Sequence, residues 1–157
     1  MRTLVLTLAT TMALFAQQDE YHGPIPPKAD VPYLLHASNL IETQATEAKQ
    51  ETKKGATLFW IEGTTSAART PLAEPIFILK TEKLNPDKIE LYKFDVTKTR
   101  RELTIKDKPG KNDRPIFLSV VKVGTNLYRI EASEQLANGE YSLSPSGSNQ
   151  VFTFQVY

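Results

Sequence analysis

The chain has 157 residues and no cysteine, and its 19 basic and 18 acidic side chains nearly cancel. Balanced charge gives no field over the whole domain that would attract nucleic acid or an anionic membrane. The lack of cysteine excludes disulfides, thiolate metal sites and thiol catalysis, and we expect no lipid anchor. The fold must therefore be held together by hydrophobic packing, for which this length suffices.

The N-terminus predicts a secretory signal peptide over residues 1–16. Arg2 supplies one positive charge, residues 4–15 are apolar except for threonine, and Ala16 precedes a polar stretch. This order is typical of a cleavable leader, and we expect cleavage after Ala16. The apolar run is shorter than the roughly 20 residues that cross a bilayer. We therefore expect an exported bacterial protein, periplasmic or extracellular, without a membrane span.

Residues 17–30 predict a proline-rich tether. Pro24, Pro26 and Pro27 follow Gly23 in a stretch that carries several charges. Proline fixes φ and lacks a backbone donor, so no regular element is expected there. From residue 31 to 157 the pattern becomes that of strands, and we expect one domain over that range.

The domain is predicted to contain eight or nine short antiparallel strands. The candidate runs are rich in β-branched and aromatic residues and are bounded by Gly, Pro, Asn or Asp. They cover 33–37, 57–62, 75–80, 89–97, 101–106, 115–123, 127–133, 140–144 and 151–157. In the last run Phe152, Phe154 and Val156 share one face, which indicates a sheet with one buried side. Strands at this spacing predict a sandwich or a barrel.

Residues 38–54 fit neither strand nor helix well. Leu40, Ile41, Ala45 and Ala48 could line a weak helical stripe with Ser38 as its N-cap. Alternatively, the segment is an exposed strand that returns through residues 53–55 into the strand at 57–61 as a long hairpin. Its three threonines favour the hairpin.

A corner near the C-terminus resembles the entry to the penultimate strand of immunoglobulin-like sandwiches. It is carried by Leu136, Gly139, Tyr141 and Leu143 in the order Leu-x-x-Gly-x-Tyr-x-Leu. The resemblance implies that the Tyr141 hydroxyl bonds to backbone a few residues upstream as a structural tyrosine corner. We therefore predict an all-β, immunoglobulin-like β-sandwich.

A wider resemblance covers residues 56–157. Gly63-x-x-Ser66-x-x-Arg69, then Arg100-Arg101-Glu102, then Gly139-Glu140-Tyr141, then a terminal Val-Phe-x-Phe-x-Val follow one another in order. This pattern is similar to that of a family of exported bacterial β-rich domains without known function. The resemblance implies export and an all-β fold, and it implies no activity.

Three residues form a candidate polar cluster: Arg69, Arg101 and Glu140. As a functional site they would grip an anionic or sugar ligand at one end of the sandwich. As a structural site, an arginine–carboxylate pair would pin strand ends through the fork of guanidinium donors. The structural interpretation is favoured.

Trp60 is the single tryptophan and a candidate aromatic contact with Tyr33 and Tyr157. Such rings can form a platform for sugar or partner binding. The alternative is that Trp60 packs in the core of a central strand.

No residue pattern points to catalysis. The two histidines, His22 and His36, lack the spacing of metal ligands, and a catalytic metal usually needs three protein ligands. The serine-rich stretch at 144–148 lacks a nucleophile elbow and is typical of a turn. We expect no enzyme, no metal and no cofactor.

By elimination, the sequence predicts a non-catalytic interaction module that binds a protein partner in the cell envelope through sheet edges or loops. A domain that binds a small ligand or glycan is the alternative. A hydrolase with an unfamiliar carboxylate pair is the third hypothesis. It stays open because fold alone does not determine function.

Overall fold

The computed structural model describes residues 21–110 and 113–157, so the predicted signal peptide lies outside the described residues. The described chain is all-β, as predicted, and a short 3-10 turn lies at Pro86–Lys88. Its strands are β1 Pro32–His36, β2 Asn39–Glu42, β3 Gln44–Glu47, β4 Lys49–Lys53, β5 Ala56–Glu62, β6 Arg69–Thr70, β7 Ile76–Lys80, β8 Ile89–Lys93, β9 Asp95–Val96, β10 Arg100–Lys106, β11 Leu118–Gly124, β12 Leu127–Ala132, β13 Gly139–Pro145 and β14 Gln150–Val156. Within these residues no helix has the length and apolar character needed to cross a membrane.

The strands are shorter and more numerous than the eight or nine predicted, because long runs bend where they pass between sheets. The predicted strand at 89–97 divides at Phe94 into β8 and β9. The ambiguous segment at 38–54 divides at Thr43 and Ala48 into β2, β3 and β4, each in a different sheet. Thr43, Ala48 and Phe94 are all buried, as expected of residues inside a corner.

The strand alternative for residues 38–54 is confirmed, but only β4 forms the predicted hairpin with β5, whereas β2 pairs with β1 and β3 pairs with β14. β4 pairs with β5 through a tight turn in which Lys53 lies opposite Ala56. Gly55 in that turn has a φ of +87°, a conformation that favours glycine. All five residues of β4 are exposed, which explains why the segment lacks the apolar pattern of the other strands.

Two sheets stack face to face and form the main core. Sheet A has the order β11-β12-β7-β1-β2, and sheet B has the order β3-β14-β13-β8. The ring of Phe77 in sheet A meets the edge of Phe154 in sheet B at 4.8 Å between centroids. Phe152, Phe154 and Val156 are buried between the sheets, as the two-residue alternation predicts.

Sheet C has the order β4-β5-β10-β9 and lies over the outer face of sheet B. Together the two sheets form a closed ring of strands. The strand that contains β3 and β4 belongs to sheets B and C in turn, and so does the strand that contains β8 and β9. At the two bends the backbone N–H of Ala48 donates to Asn149 O, and that of Phe94 donates to Glu140 O, both at 2.8 Å. The strand ring therefore runs β3/β4, β14, β13, β8/β9, β10 and β5, and β5 pairs with β4 again.

The proline-rich segment contains no strand in its described part, residues 21–30, but it is fastened to sheet A at its end. Asp30 donates its backbone N–H to Lys80 O at 2.8 Å. Its carboxylate accepts backbone N–H bonds from Glu82, Lys83 and Leu84 at 2.9–3.1 Å. Burial raises the pKa of Asp30, but the three backbone donors outweigh it and hold the pKa below its usual value.

We expect Asp30→Asn to destabilise the fold at pH 7 and to flatten its acid dependence. Because the pKa of Asp30 is lowered on folding, its contribution is present above the unfolded pKa of about 3.9 and is lost as pH falls through the folded value. Asparagine also tolerates the φ of +60° at this position. Urea unfolding at pH 7 and pH 3 measures the effect.

The matched control is Asp87→Asn, a carboxylate at the exposed 3-10 turn. The gap in free energy of unfolding between Asp30→Asn and the unsubstituted protein should narrow toward pH 3. The gap between the control and the unsubstituted protein should not narrow in this way. A gap of equal size at both pH values would contradict the assignment.

Candidate functional site

The strand ring encloses a cavity of about 340 Å³ that opens at one end. Its wall is formed by side chains of β4, β5, β8, β10, β13 and β14, and the 145–149 turn between β13 and β14 forms part of its rim. The lining residues are Ala48, Gln50, Phe59, Glu90, Tyr92, Phe94, Leu103, Ile105, Ser142, Ser144, Pro145, Ser146, Gly147, Ser148, Asn149 and Val151. The cavity is within the size range of small-ligand sites.

The floor of the cavity is apolar. Ala48, Phe94 and Val151 are buried in a small second core that also contains Ile61. Phe59 and Leu103 pack against this core from β5 and β10 and are half-buried, because one side of each borders the cavity. An apolar floor with a polar rim is the usual composition of a ligand pocket.

The polar wall is built by β8 and β13, which pair so that Glu90 lies opposite Ser144 and Tyr92 opposite Ser142. The Tyr92 hydroxyl donates to Glu90 Oε2 at 3.0 Å, and the two serine hydroxyls bond to each other at 3.0 Å. Burial, and then the bond to Glu90, raise the pKa of Tyr92 far above its usual value. The phenol therefore stays neutral and acts as a donor.

The opposite end of the ring is closed by a buried polar group made of Arg101, Ser66 and Glu140. Arg101 and Glu140 are 1% and 2% exposed. Arg101 Nη1 lies 2.6 Å from Ser66 Oγ and 3.4 Å from Glu140 Oε2, and the serine donates to the same carboxylate oxygen at 2.6 Å. Arg101 Nε also donates to Gly63 O at 3.1 Å. These hydrogen bonds join β10, β13 and the 63–68 loop across this end of the ring.

Burial and attraction oppose each other at Arg101. Desolvation lowers the pKa of its guanidinium, while Glu140 raises it through its charge and its hydrogen bond, and the net direction is downward. Arginine starts so high that it keeps its charge. Glu140 uses Oε2 for both partners, and its buried Oε1 makes no hydrogen bond within the described residues. The arrangement fits the structural interpretation of the pair.

Arg69 does not belong to this cluster, so the predicted group of three is wrong in that member. β6 pairs in parallel with the end of β14, which turns Thr70 inward and leaves Arg69 exposed. Its Nε donates to Gln155 Oε1 at 2.5 Å, and its guanidinium lies 4.5 Å from the centroid of the Tyr157 ring. Arg69 is thus a surface residue that fastens the last strand.

The two residues of the predicted aromatic contact, Tyr33 and Trp60, lie in different parts of the structure. Tyr33 is buried in sheet A, where its hydroxyl donates to Glu42 Oε2 at 3.1 Å. Trp60 alternates with Phe59 and Ile61, so it lies on the outer face of sheet C, half-buried under the guanidinium of Arg100 at 4.8 Å. Trp60 and Tyr33 therefore do not form one platform.

The tyrosine corner has the hydrogen bond that the sequence predicts. Tyr141 Oη donates to Ala137 O at 2.6 Å, four residues upstream. The ring itself is buried and stacks on Phe154 with 5.5 Å between centroids. Burial raises the pKa of Tyr141, and the charge of Glu134 raises it further. The hydroxyl remains a donor, which is what the corner requires.

Sequence reasoning missed Ser66 and the polar wall of the cavity. Ser66 is part of the Gly-x-x-Ser-x-x-Arg pattern, but its partners come from strands that are 35 and 74 residues away. A signal was present at Arg101, because it is two residues from Leu103 and four from Ile105 on the same strand and must therefore share their inward face. At Glu90 and Tyr92 the signal is weaker, because both faces of β8 carry apolar side chains.

A second hollow, of about 570 Å³, lies outside the ring where β8 and β10 diverge. Its lining is largely charged and includes Lys93, Asp95 and Lys106, the last paired with Asp113 at 3.0 Å. It is larger than the ring cavity, but five of its nine lining residues are charged, so we regard it as a solvated groove.

No family model matches the chain, and neither a curated protein nor a solved structure is significantly similar to it. The resemblance to exported β-rich domains, and the immunoglobulin-like assignment, stay predictions from the sequence.

We expect Arg101→Met to lower the free energy of unfolding by about 3–5 kcal/mol, because it leaves a buried carboxylate without its cation. The double variant Arg101→Met/Glu140→Leu should recover most of that loss, since it removes both charges together. Urea denaturation followed by circular dichroism gives both values.

The control is Lys49→Met, which breaks an exposed pair with Glu62. It should change stability far less, as is typical of surface ion pairs. If Arg101→Met were no more costly than this control, the buried pair would not be what closes that end of the ring.

Proposed function

We propose that this chain is an exported, non-catalytic binding domain that takes a small, largely apolar ligand into the open end of the strand ring. The observation that carries the proposal is the cavity of about 340 Å³ with an apolar floor, a polar rim and one sealed end. Concave sites with that composition are the usual location of small-molecule binding.

The closed hydrogen-bonding of the ring supports a cavity that exists before the ligand arrives. β3 pairs with β14, β14 with β13, and β13 with β8, while β9, β10, β5 and β4 complete the circuit. Within the ring β8 pairs with β13 on one side and diverges from β10 on the other. The rest of the wall is held by strand pairing and should change shape little on binding. A preformed site avoids much of the ordering cost that weakens association.

The chemistry of the polar wall supports binding rather than catalysis. A serine nucleophile needs an adjacent base, but Ser142 and Ser144 bond to each other and no histidine or lysine lines the cavity among the described residues. Glycoside hydrolysis needs two carboxyl groups, whereas Glu90 is the single carboxylate in the lining. Export rests on the predicted signal peptide and on the resemblance to exported β-rich domains.

We expect Ser144→Trp to abolish binding of a neutral apolar probe such as 1-octanol. Ser144 is half-buried on the wall, so an indole at this position fills the opening of the cavity. Binding is measured by titration with nuclear magnetic resonance, using the methyl signals of Leu103 and Ile105 in the lining.

Leu58→Trp is the matched control, because Leu58 alternates with Phe59 and faces away from the cavity. This variant should bind 1-octanol as the unsubstituted protein does. If the unsubstituted protein shows no saturable shift of the lining methyl signals, or if both variants lose it equally, the proposed function is wrong.

A second function, recognition of a protein partner in the cell envelope, is favoured by one free sheet edge. β11 is an edge strand of sheet A. It pairs with β12 on one side, and no strand of the described chain pairs with its other side. Val121 on this strand is 50% exposed, and Phe117 just before it is 78% exposed. A partner could add a strand to this edge while Phe117 provides an apolar anchor.

For this second function we expect a photo-crosslinking residue at Val121 to give one product of defined mass in the native host. The same group at Thr104, an exposed position outside the ring, should not give that product. Adding Phe117→Ser to the variant that carries the photo-crosslinking residue at position 121 should reduce the yield of the crosslinked product. Equal products from both positions, or none from Val121, would count against a partner at this edge.

A further inference from the structure

The ring cavity carries a single charge. Of its sixteen lining residues, Glu90 is the only one with a side chain that is charged at neutral pH, since the others are apolar, amide, hydroxyl or phenol side chains. The lysines that flank this strand, Lys88 and Lys93, are exposed and do not line the cavity. A ligand in the cavity therefore meets a negative group, and no cationic side chain is among the residues that line the cavity.

The carboxylate of Glu90 is held in position by one hydrogen bond to Oε2, which leaves Oε1 available as an acceptor. The hydroxyl of buried Tyr92 donates to Oε2 at 3.0 Å, which restricts the orientation of the side chain. No described residue donates a hydrogen bond to Oε1, and Glu90 is half-buried rather than fully exposed. A carboxylate held by one oxygen is ready to accept a charge-assisted hydrogen bond through the other.

Glu90 also stands near the rim and not on the floor. It pairs across the sheet with Ser144, one residue before the Pro145 turn, while the apolar floor is formed by Phe94 and Val151. A ligand whose tail lies on the floor would therefore bring its other end to Glu90 and to the serine hydroxyls. This order fits an amphipathic molecule better than a uniformly apolar one.

From this arrangement we propose that the ligand is a small amphipathic cation, with an ammonium-type group that pairs with Glu90 and an apolar tail on the floor of the ring. The inference rests on the proposed function and names its ligand class. A volume of about 340 Å³ accommodates a molecule of roughly ten non-hydrogen atoms, if each takes about the 30 Å³ of a water in the liquid. Carboxylate-bearing ligands are disfavoured, because Glu90 would repel them at the rim.

The experiment compares three probes with the same tail and different heads: n-octylammonium, 1-octanol and octanoate. We expect n-octylammonium to bind about tenfold more tightly than 1-octanol, as is typical of a charge-assisted bond that is only partly desolvated, and octanoate to bind most weakly. Titration at neutral pH, followed by the methyl signals of Leu103 and Ile105, gives the three dissociation constants.

Glu90→Gln removes the charge and keeps the shape, and it should bring the affinity ratio of n-octylammonium to 1-octanol close to one. Glu51→Gln removes the same charge from the exposed outside of the ring and should leave the ratio near tenfold. Equal affinity for all three probes in the unsubstituted protein would overturn the cation preference while the binding function stands. If none of the probes binds, the proposed function fails and this inference fails with it.

Discussion

The shape of the molecule depends on two bends in the backbone, at Ala48 and at Phe94. Each bend carries one strand from sheet B into sheet C, and each is held by a backbone hydrogen bond of 2.8 Å, from Ala48 to Asn149 in the turn before β14 and from Phe94 to Glu140 in β13. If either strand ran straight, sheet C would have no partner on that side and the ring would stay open. The buried side chains at both bends explain why they are stable, because they place apolar groups in the second core.

Closure at these bends gives the ring two different ends. At one end Arg101, Ser66 and Glu140 tie β10 and β13 to a loop through hydrogen bonds that are buried from water. At the other end β13 carries Ser142 and Ser144, whose short side chains leave space between sheets B and C. The same architecture thus provides both a hydrogen-bonded base and an opening.

Much of the local structure could be predicted because alternation along a strand depends on residues that are close in sequence. Phe152, Phe154 and Val156 face the core for that reason, and the corner at Tyr141 is likewise local. The grouping of Arg69 with Arg101 failed because spacing along the chain does not tell which way a short parallel strand will turn its side chains.

The closed ring was out of reach of such reasoning, since it depends on pairings between distant segments. Alternation shows that Ser142 and Tyr92 lie opposite Leu143 and Leu91 on their strands, but not that a third sheet covers that side. The apolar character of Phe59 and Phe94 was visible, whereas their meeting around a cavity was not. The site could be located only when the sheet order was known.

The pairing of β3 with β14 has a consequence for how fast the chain reaches its final state. Gln44 and Thr153 meet in this pair although they are 109 residues apart. Contacts at such separation form slowly, because a long loop must lose its freedom before any contact rewards it. Folding on the millisecond-to-second scale is typical of domains with this kind of topology. The hairpins β4–β5 and β11–β12 can form early, and the step that joins β3 to β14 is the natural bottleneck.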